Sequence, residues 1–200
     1  AHKVTSCAEA EDMQDDISDD VNIAAVGVAH ADVHYNGNEF VVSSWDIISG
    51  DVKPGTNVLI YDDAGDHAAL QAAEFLAGAG AKVEIMTPDR SFSPEVMAMN
   101  LVPYMRSLQK LDVIFTVTYR LESVEKNGNQ LIAHVGSDYG GISKQRAGDQ
   151  VVVNHGTIPL DDIYFELKPK STNHGEISHD DLIAGQRQSV VRNSHGQFPL

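Results

Sequence analysis

The stretch Asn57–Asp89, NVLIYDDAGDHAALQAAEFLAGAGAKVEIMTPD, reads as strand, turn, helix and second strand. Val58–Tyr61 is a short apolar run that reads as a strand. From about Asp66 to Ala79 the chain is rich in Ala, Leu and Glu with apolar residues at helical spacing, and Gly80 is placed to stop the helix. Val83–Met86 supplies the second strand. This order predicts a right-handed crossover and a parallel sheet, the opening unit of a dinucleotide-binding fold.

The glycines that such a unit uses are absent. In Gly-x-Gly-x-x-Gly the first Gly permits the tight turn, the second lets backbone approach a pyrophosphate, and the third lets helix pack on strand. Counting back from Gly80 puts those positions at Ala64, Asp66 and Ala69, and the ribose-binding acidic position at Thr87. A carboxylate at Asp66 would compete with a phosphate for the helix amides, and Asp62 and Asp63 add negative charge. A like charge about 4 Å away costs on the order of several kcal/mol near a protein surface. The expectation is therefore that Asp66 caps its own helix and that this unit takes no nucleotide, with Gly65 serving only as a left-handed turn residue.

Outward from this unit, Ser6 and Glu9 have capping-box spacing for a short helix to about Asp16, and Val21–Val28 reads as a buried strand. Asn36-Gly37 suits a tight turn, and Ser44 or Asp46 starts a short helical turn before Pro54-Gly55. Ser93 is placed as the cap and Pro94 as the first residue of a second helix, bent or interrupted at Pro103. DVIFTVTYRLESVE, from Asp112, reads as a strand, and the alternation around Asn127-Gly128-Asn129 marks a β-hairpin. Ser137–Gln150 reads as a connection into the apolar strand VVVNHG (151–156), and the His- and Asn-rich remainder as loop. The predicted class is α/β: a Rossmann-like parallel sheet with helices on its faces plus an antiparallel hairpin or meander, flanked by parts of a second, flavin-type nucleotide domain.

With 29 acidic and 14 basic side chains the net charge is −15, which repels a phosphate backbone, so no nucleic-acid partner is expected. No apolar run approaches the roughly 20 residues that span a bilayer, so no membrane partner is expected. The single cysteine, Cys7, allows no internal disulfide and no four-cysteine cluster, which fits the reducing cytoplasm. His30 and His34, with Asp32 between them, lack a third ligand, and His174 and His179, with Glu176, Asp180 and Asp181, read as loop residues whose clustering follows from composition. Asp15, Asp16, Asp19 and Asp20 do not match a calcium loop. There is no Gly-x-Ser-x-Gly, so neither a catalytic nucleophile nor a metal site is assigned.

The segments IAAVGVAH (23–30) and VVVNHGTIP (151–159) resemble the paired strands that bracket the inserted nucleotide domain of flavoprotein reductases; here they read Ala25-Val26-Gly27 and Asn154-His155-Gly156. Together with VVSSWDIISGDVKPGTNVLIYDD, VEIMTPD and LVPYMRSL, they are similar to the C-terminal part of the old-yellow-enzyme-like NADH:flavin oxidoreductases, nearest the branch of the dimethylglycine and N-methylproline demethylases. The likeness covers about residues 38–190.

The resemblance implies a longer polypeptide with an N-terminal (β/α)8 barrel that holds FMN and a [4Fe-4S] cluster, neither bound by this segment. It also implies a flavin-type domain that holds FAD or ADP. The chain would then divide into residues 1–50 of the flavin-type domain, the degenerate nucleotide module 51–150, and the return strand and loops 151–200. Strand ends in open parallel sheets are where ligands bind, which makes His155, Gly156, Thr157 and Gly27 the candidate cofactor contacts. The expected partners are the rest of the polypeptide, an electron-accepting flavoprotein and further copies of the same chain. The implied activity is oxidative N-demethylation of a small methylated amine or amino acid; the alternative is a stand-alone, non-catalytic Rossmann-like binding domain.

Overall fold

The computed structural model describes residues 28–30, 35–170 and 177–186. The expected helix over residues 6–16, most of the strand 21–28, Gly27, His34 and His174 lie outside them. In chain order the elements are β1 (Val28–His30), β2 (Val42–Ser43), α1 (Ser44–Ser49), β3 (Asn57–Asp62), α2 (His67–Gly78), β4 (Lys82–Met86), α3 (Ala98–Lys110), β5 (Ile114–Thr116), β6 (Arg120–Asn127), β7 (Gln130–Ser137), β8 (Ile142–Gly148), β9 (Gln150–Asn154), β10 (Thr157–Pro159), α4 (Asp162–Leu167) and α5 (His179–Ile183). Short 3-10 turns cover Asn38–Phe40 and Lys168–Lys170.

Residues 30–157 form one compact unit. Its five-stranded sheet has the order β2-β9-β3-β4-β5, every pair parallel. β6, β7 and β8 form a separate antiparallel sheet. Val58–Asp62 of β3 and all of β9 are buried, as strands covered on both faces must be. Alternation along these strands sorts the core into two layers. Val58, Ile60, Ile85 and Val152 face Leu70, Ala73 and Leu76 of α2 and Leu108 of α3. Leu59, Tyr61, Met86, Val151 and Val153 face Leu121, Val124, Ala133 and Val135 of the antiparallel sheet. Complete burial of side chains such as Ile60, Leu70 and Ile85 stabilises the unit by about 2 kcal/mol each.

The strand–helix–strand unit and the hairpin follow the sequence reading. α2 ends through Ala79, with Gly80 beyond it at φ 94°. β6 and β7 meet across Gly128-Asn129, with Gly128 at φ 61°. α1 has a full capping box built by Ser43 and Asp46.

Four expectations are corrected. Ser93 and Pro94 do not start a helix: Ser93 is buried at φ 46°, the Pro94 ring packs on Gly65, and the Glu95 amide donates to the Gly65 carbonyl, so α3 begins only at Ala98. α3 is not interrupted at Pro103 but runs through it. Residues 112–125 are not one strand, because Thr118 at φ 65° turns the chain from one sheet into the other while the Thr118 and Tyr119 amides bond to the Asp89 and Thr87 carbonyls. Residues 142–148 form β8 rather than a connection; this edge strand is mostly exposed and lacks apolar alternation, yet pairs in register with β7 along its length.

The described remainder includes the two-stranded β1-β10 sheet, α4 and α5. Neither α4 nor α5 buries a residue, and Tyr164, Phe165, Leu182 and Ile183 are exposed. Among the described residues no helix is long and apolar enough to cross a membrane.

Candidate functional site

From β3 the chain crosses through α2 to β4 and on to β5 on one side, while β9 and β2 lie on the other. The sheet order therefore reverses between β3 and β9, and the crevice at their C-terminal ends is where open α/β sheets take ligands. Asp62 and Asn154 end these strands in register opposite one another.

Asp62 is fully buried. Its Oδ1 accepts from the Gly65 amide at 2.9 Å and from Asn154 Nδ2 at 3.0 Å, while its Oδ2 is buried without a hydrogen-bond partner. Burial pushes its carboxyl up to about 6, although the Gly65 and Asn154 donors oppose that rise. Asp66 caps α2, its Oδ1 accepting from the Ala68 amide at 2.9 Å, as expected from the sequence. Asn154 Nδ2 also donates to that same Asp66 oxygen at 2.9 Å. One side-chain amide thus gives its two hydrogens to two carboxylates, and its Oδ1 lies 3.4 Å from the Ser44 hydroxyl that donates to it. The Asn154 carbonyl accepts from the Asp63 and Ala64 amides.

A diphosphate does not fit this arrangement. The Asp63, Ala64, Gly65 and Ala68 amides already have partners, two carboxylates line the position, and the Pro94 ring stands over Gly65. Gly65, at φ 70°, is a turn glycine whose missing Cβ makes room for Pro94.

His155, the first residue after β9, has a side chain only 4% exposed. Tyr35 and Tyr61 meet its ring edge-on at centroid distances of 5.9 and 5.8 Å. Its Nδ1 lies 3.5 Å from Asp63 Oδ2, and Arg120 Nη1 lies 3.9 Å from Asp63 Oδ1. The hydrogen bond with His155 holds the Asp63 carboxyl below its usual range, against partial burial, and the charges of His155 and Arg120 act in the same sense. Burial, reinforced by Asp63, raises the Tyr61 phenol. Gly156 has φ 82°, and a Cβ there would touch Ala64. Thr157 is exposed at the start of β10. The structure thus gathers His155 and Gly156 beside the switch point. The bridging role of Asn154, the tyrosines around His155 and the plug at Pro94 escape sequence reasoning; the one signal was a polar residue closing an apolar strand. Among the described residues no group of three His, Cys, Asp or Glu side chains is placed to hold a metal ion.

No family model matches the chain. It is 76% identical over 193 residues to a probable N-methylproline demethylase of Rhizobium meliloti, covering 96% of this chain and 28% of that protein. It is 41% identical over 151 residues to the N,N-dimethylglycine/sarcosine dehydrogenase of Chromohalobacter salexigens, covering 76% of this chain and 22% of that one. The fold matches that of a 2-naphthoyl-CoA reductase with a TM-score of 0.60 at 23% identity, over 68% of this chain and 20% of the reductase. The chain spans less than a third of the length of the curated relatives it matches. As a segment of such a protein, it belongs to the old-yellow-enzyme-like flavoprotein family of the N-methylproline demethylases and dimethylglycine dehydrogenases.

Proposed function

We propose that this chain is the nucleotide-domain-like module of a cytoplasmic flavin- and iron–sulfur-dependent oxidoreductase that removes N-methyl groups from small methylated amino acids. The observation that carries the reading is the 76% identity, over nearly the whole chain, to a probable N-methylproline demethylase. FMN and a [4Fe-4S] cluster belong, in this reading, to the rest of the polypeptide: a lone Cys7 does not fit the thiolate set of such a cluster. The hard chemistry is the cofactors'. In the same reading residues 51–150 are the degenerate module, and residues 1–50 and 151–200 are parts of a flavin-type domain, with Gly27, His155, Gly156 and Thr157 near any FAD or ADP held there. An electron-accepting flavoprotein and further copies of the chain are the proposed partners.

What this segment does is structural. The β3–α2 turn offers carboxylates where a coenzyme's diphosphate needs free amides, so Asp62, Asp66 and Asn154 brace the module against itself. The test is an assay of the full-length polypeptide with N-methylproline and dimethylglycine and an artificial electron acceptor. Formaldehyde release that depends on the methylated amino acid, from a protein with a flavin spectrum, is expected. A full-length protein with no flavin absorbance would instead establish a non-catalytic binding domain.

A further inference from the structure

A cleft of about 340 Å3 opens between α2 and α3, lined by His67, Glu74, Asn100, Pro103 and Tyr104. Its walls are rich in acceptors. Glu74, half-buried on α2, brings a carboxylate. Pro103 lies inside α3, and its ring lines the cleft. Tyr104 adds a hydroxyl and a ring, held by His67, whose Nδ1 is 3.4 Å from the hydroxyl and whose ring meets the phenol edge-on at 5.8 Å. Asn100 contributes an amide oxygen. No lysine or arginine is among the lining residues.

We propose that this cleft binds a small organic ammonium ion, a protonated alkylamine. The Glu74 carboxylate and the Asn100 side-chain oxygen accept from N–H groups, the Tyr104 ring favours a cation, and the Pro103 ring accepts the alkyl part. An anion meets Glu74 without compensating charge, and a bare metal ion finds a single carboxylate where it requires several oxygen ligands. The net charge of −15 raises the local concentration of any cation.

The experiment is a titration of the isotopically labelled full chain with butylammonium chloride, following backbone amide shifts at constant ionic strength, with sodium chloride and 1-butanol as controls. Saturable shifts at Glu74, Asn100 and Tyr104 with butylammonium, absent with either control, are expected. Glu74→Gln should weaken binding at least tenfold while leaving shifts elsewhere unchanged. Tyr104→Leu, which keeps an apolar side chain and removes the ring and hydroxyl, should weaken it several-fold. Shifts that grow linearly and match those with sodium, or an affinity unchanged in both variants, would overturn the proposal.

Discussion

Asp62 is the residue at which physics and fold disagree most. It is fully exposed to neither water nor a counter-charge, and its Oδ2 has no partner. Its carboxyl stands at about 6 in the folded chain, against about 3.9 for an unperturbed aspartate. Between these values the folded state holds more protons than the unfolded one, so stability from this group is present below about pH 4 and falls as pH rises towards 6. Asp62→Asn keeps an acceptor for Gly65 and Asn154 and removes the charge. It should raise stability at pH 8 by about 1–3 kcal/mol and flatten the pH 4–6 slope; urea melts at pH 4 and pH 8 that show the parent slope intact would contradict this. The Asp66 carboxylate caps α2 and accepts from Asn154. Asp66→Ala should cost about 1–2 kcal/mol and Asp66→Asn much less, a difference readable in the same melts. The cap was legible in the sequence because it depends on the two residues that follow Asp66. The Asn154 bridge was not, since nothing near position 154 reveals what lies opposite it in the sheet.

Among the elements, the antiparallel sheet is tied to the parallel one by a polar clamp. Arg146 Nε on β8 donates to both carboxylate oxygens of Glu84 on β4, at 3.0 and 2.9 Å, and the Thr116 hydroxyl on β5 donates to the same carboxylate at 2.7 Å. With side chains 29% and 17% exposed, the pair is shielded enough to matter. A double-mutant cycle of Glu84→Gln and Arg146→Met should give a coupling of about 1–3 kcal/mol, and additive effects would show that the sheets are joined by apolar packing alone. Elements with a strong local code, such as α2 and the β6–β7 hairpin, were readable. β8 was not: its residues ISKQRAG are nearly all exposed and owe their conformation to β7. The start of α3 was misread because Ser93 and Pro94 are drawn onto the β3–α2 turn, a contact stronger than their capping preference.

At the scale of the molecule, both core clusters lie within residues 30–157. That piece should therefore fold alone and unfold in one cooperative urea transition, whereas a piece ending at residue 149 should not, because β9 is the strand that joins β2 to β3. A non-cooperative melt of residues 30–157, or a cooperative one of residues 30–149, would refute this. The exposed apolar residues of α4 and α5 belong to the other unit. By itself the amino-acid order determined the strand–helix–strand unit, the self-capping of α2 and the missing phosphate glycines, since each is settled within a few bonds of its own residues. Only the tertiary structure decided that Asn154, 88 positions from Asp66, would close the crevice with one amide, and that His155 would lie between two tyrosines. Such meetings depend on which strands become neighbours, and strand order is a property of the packed sheet rather than of any segment in it.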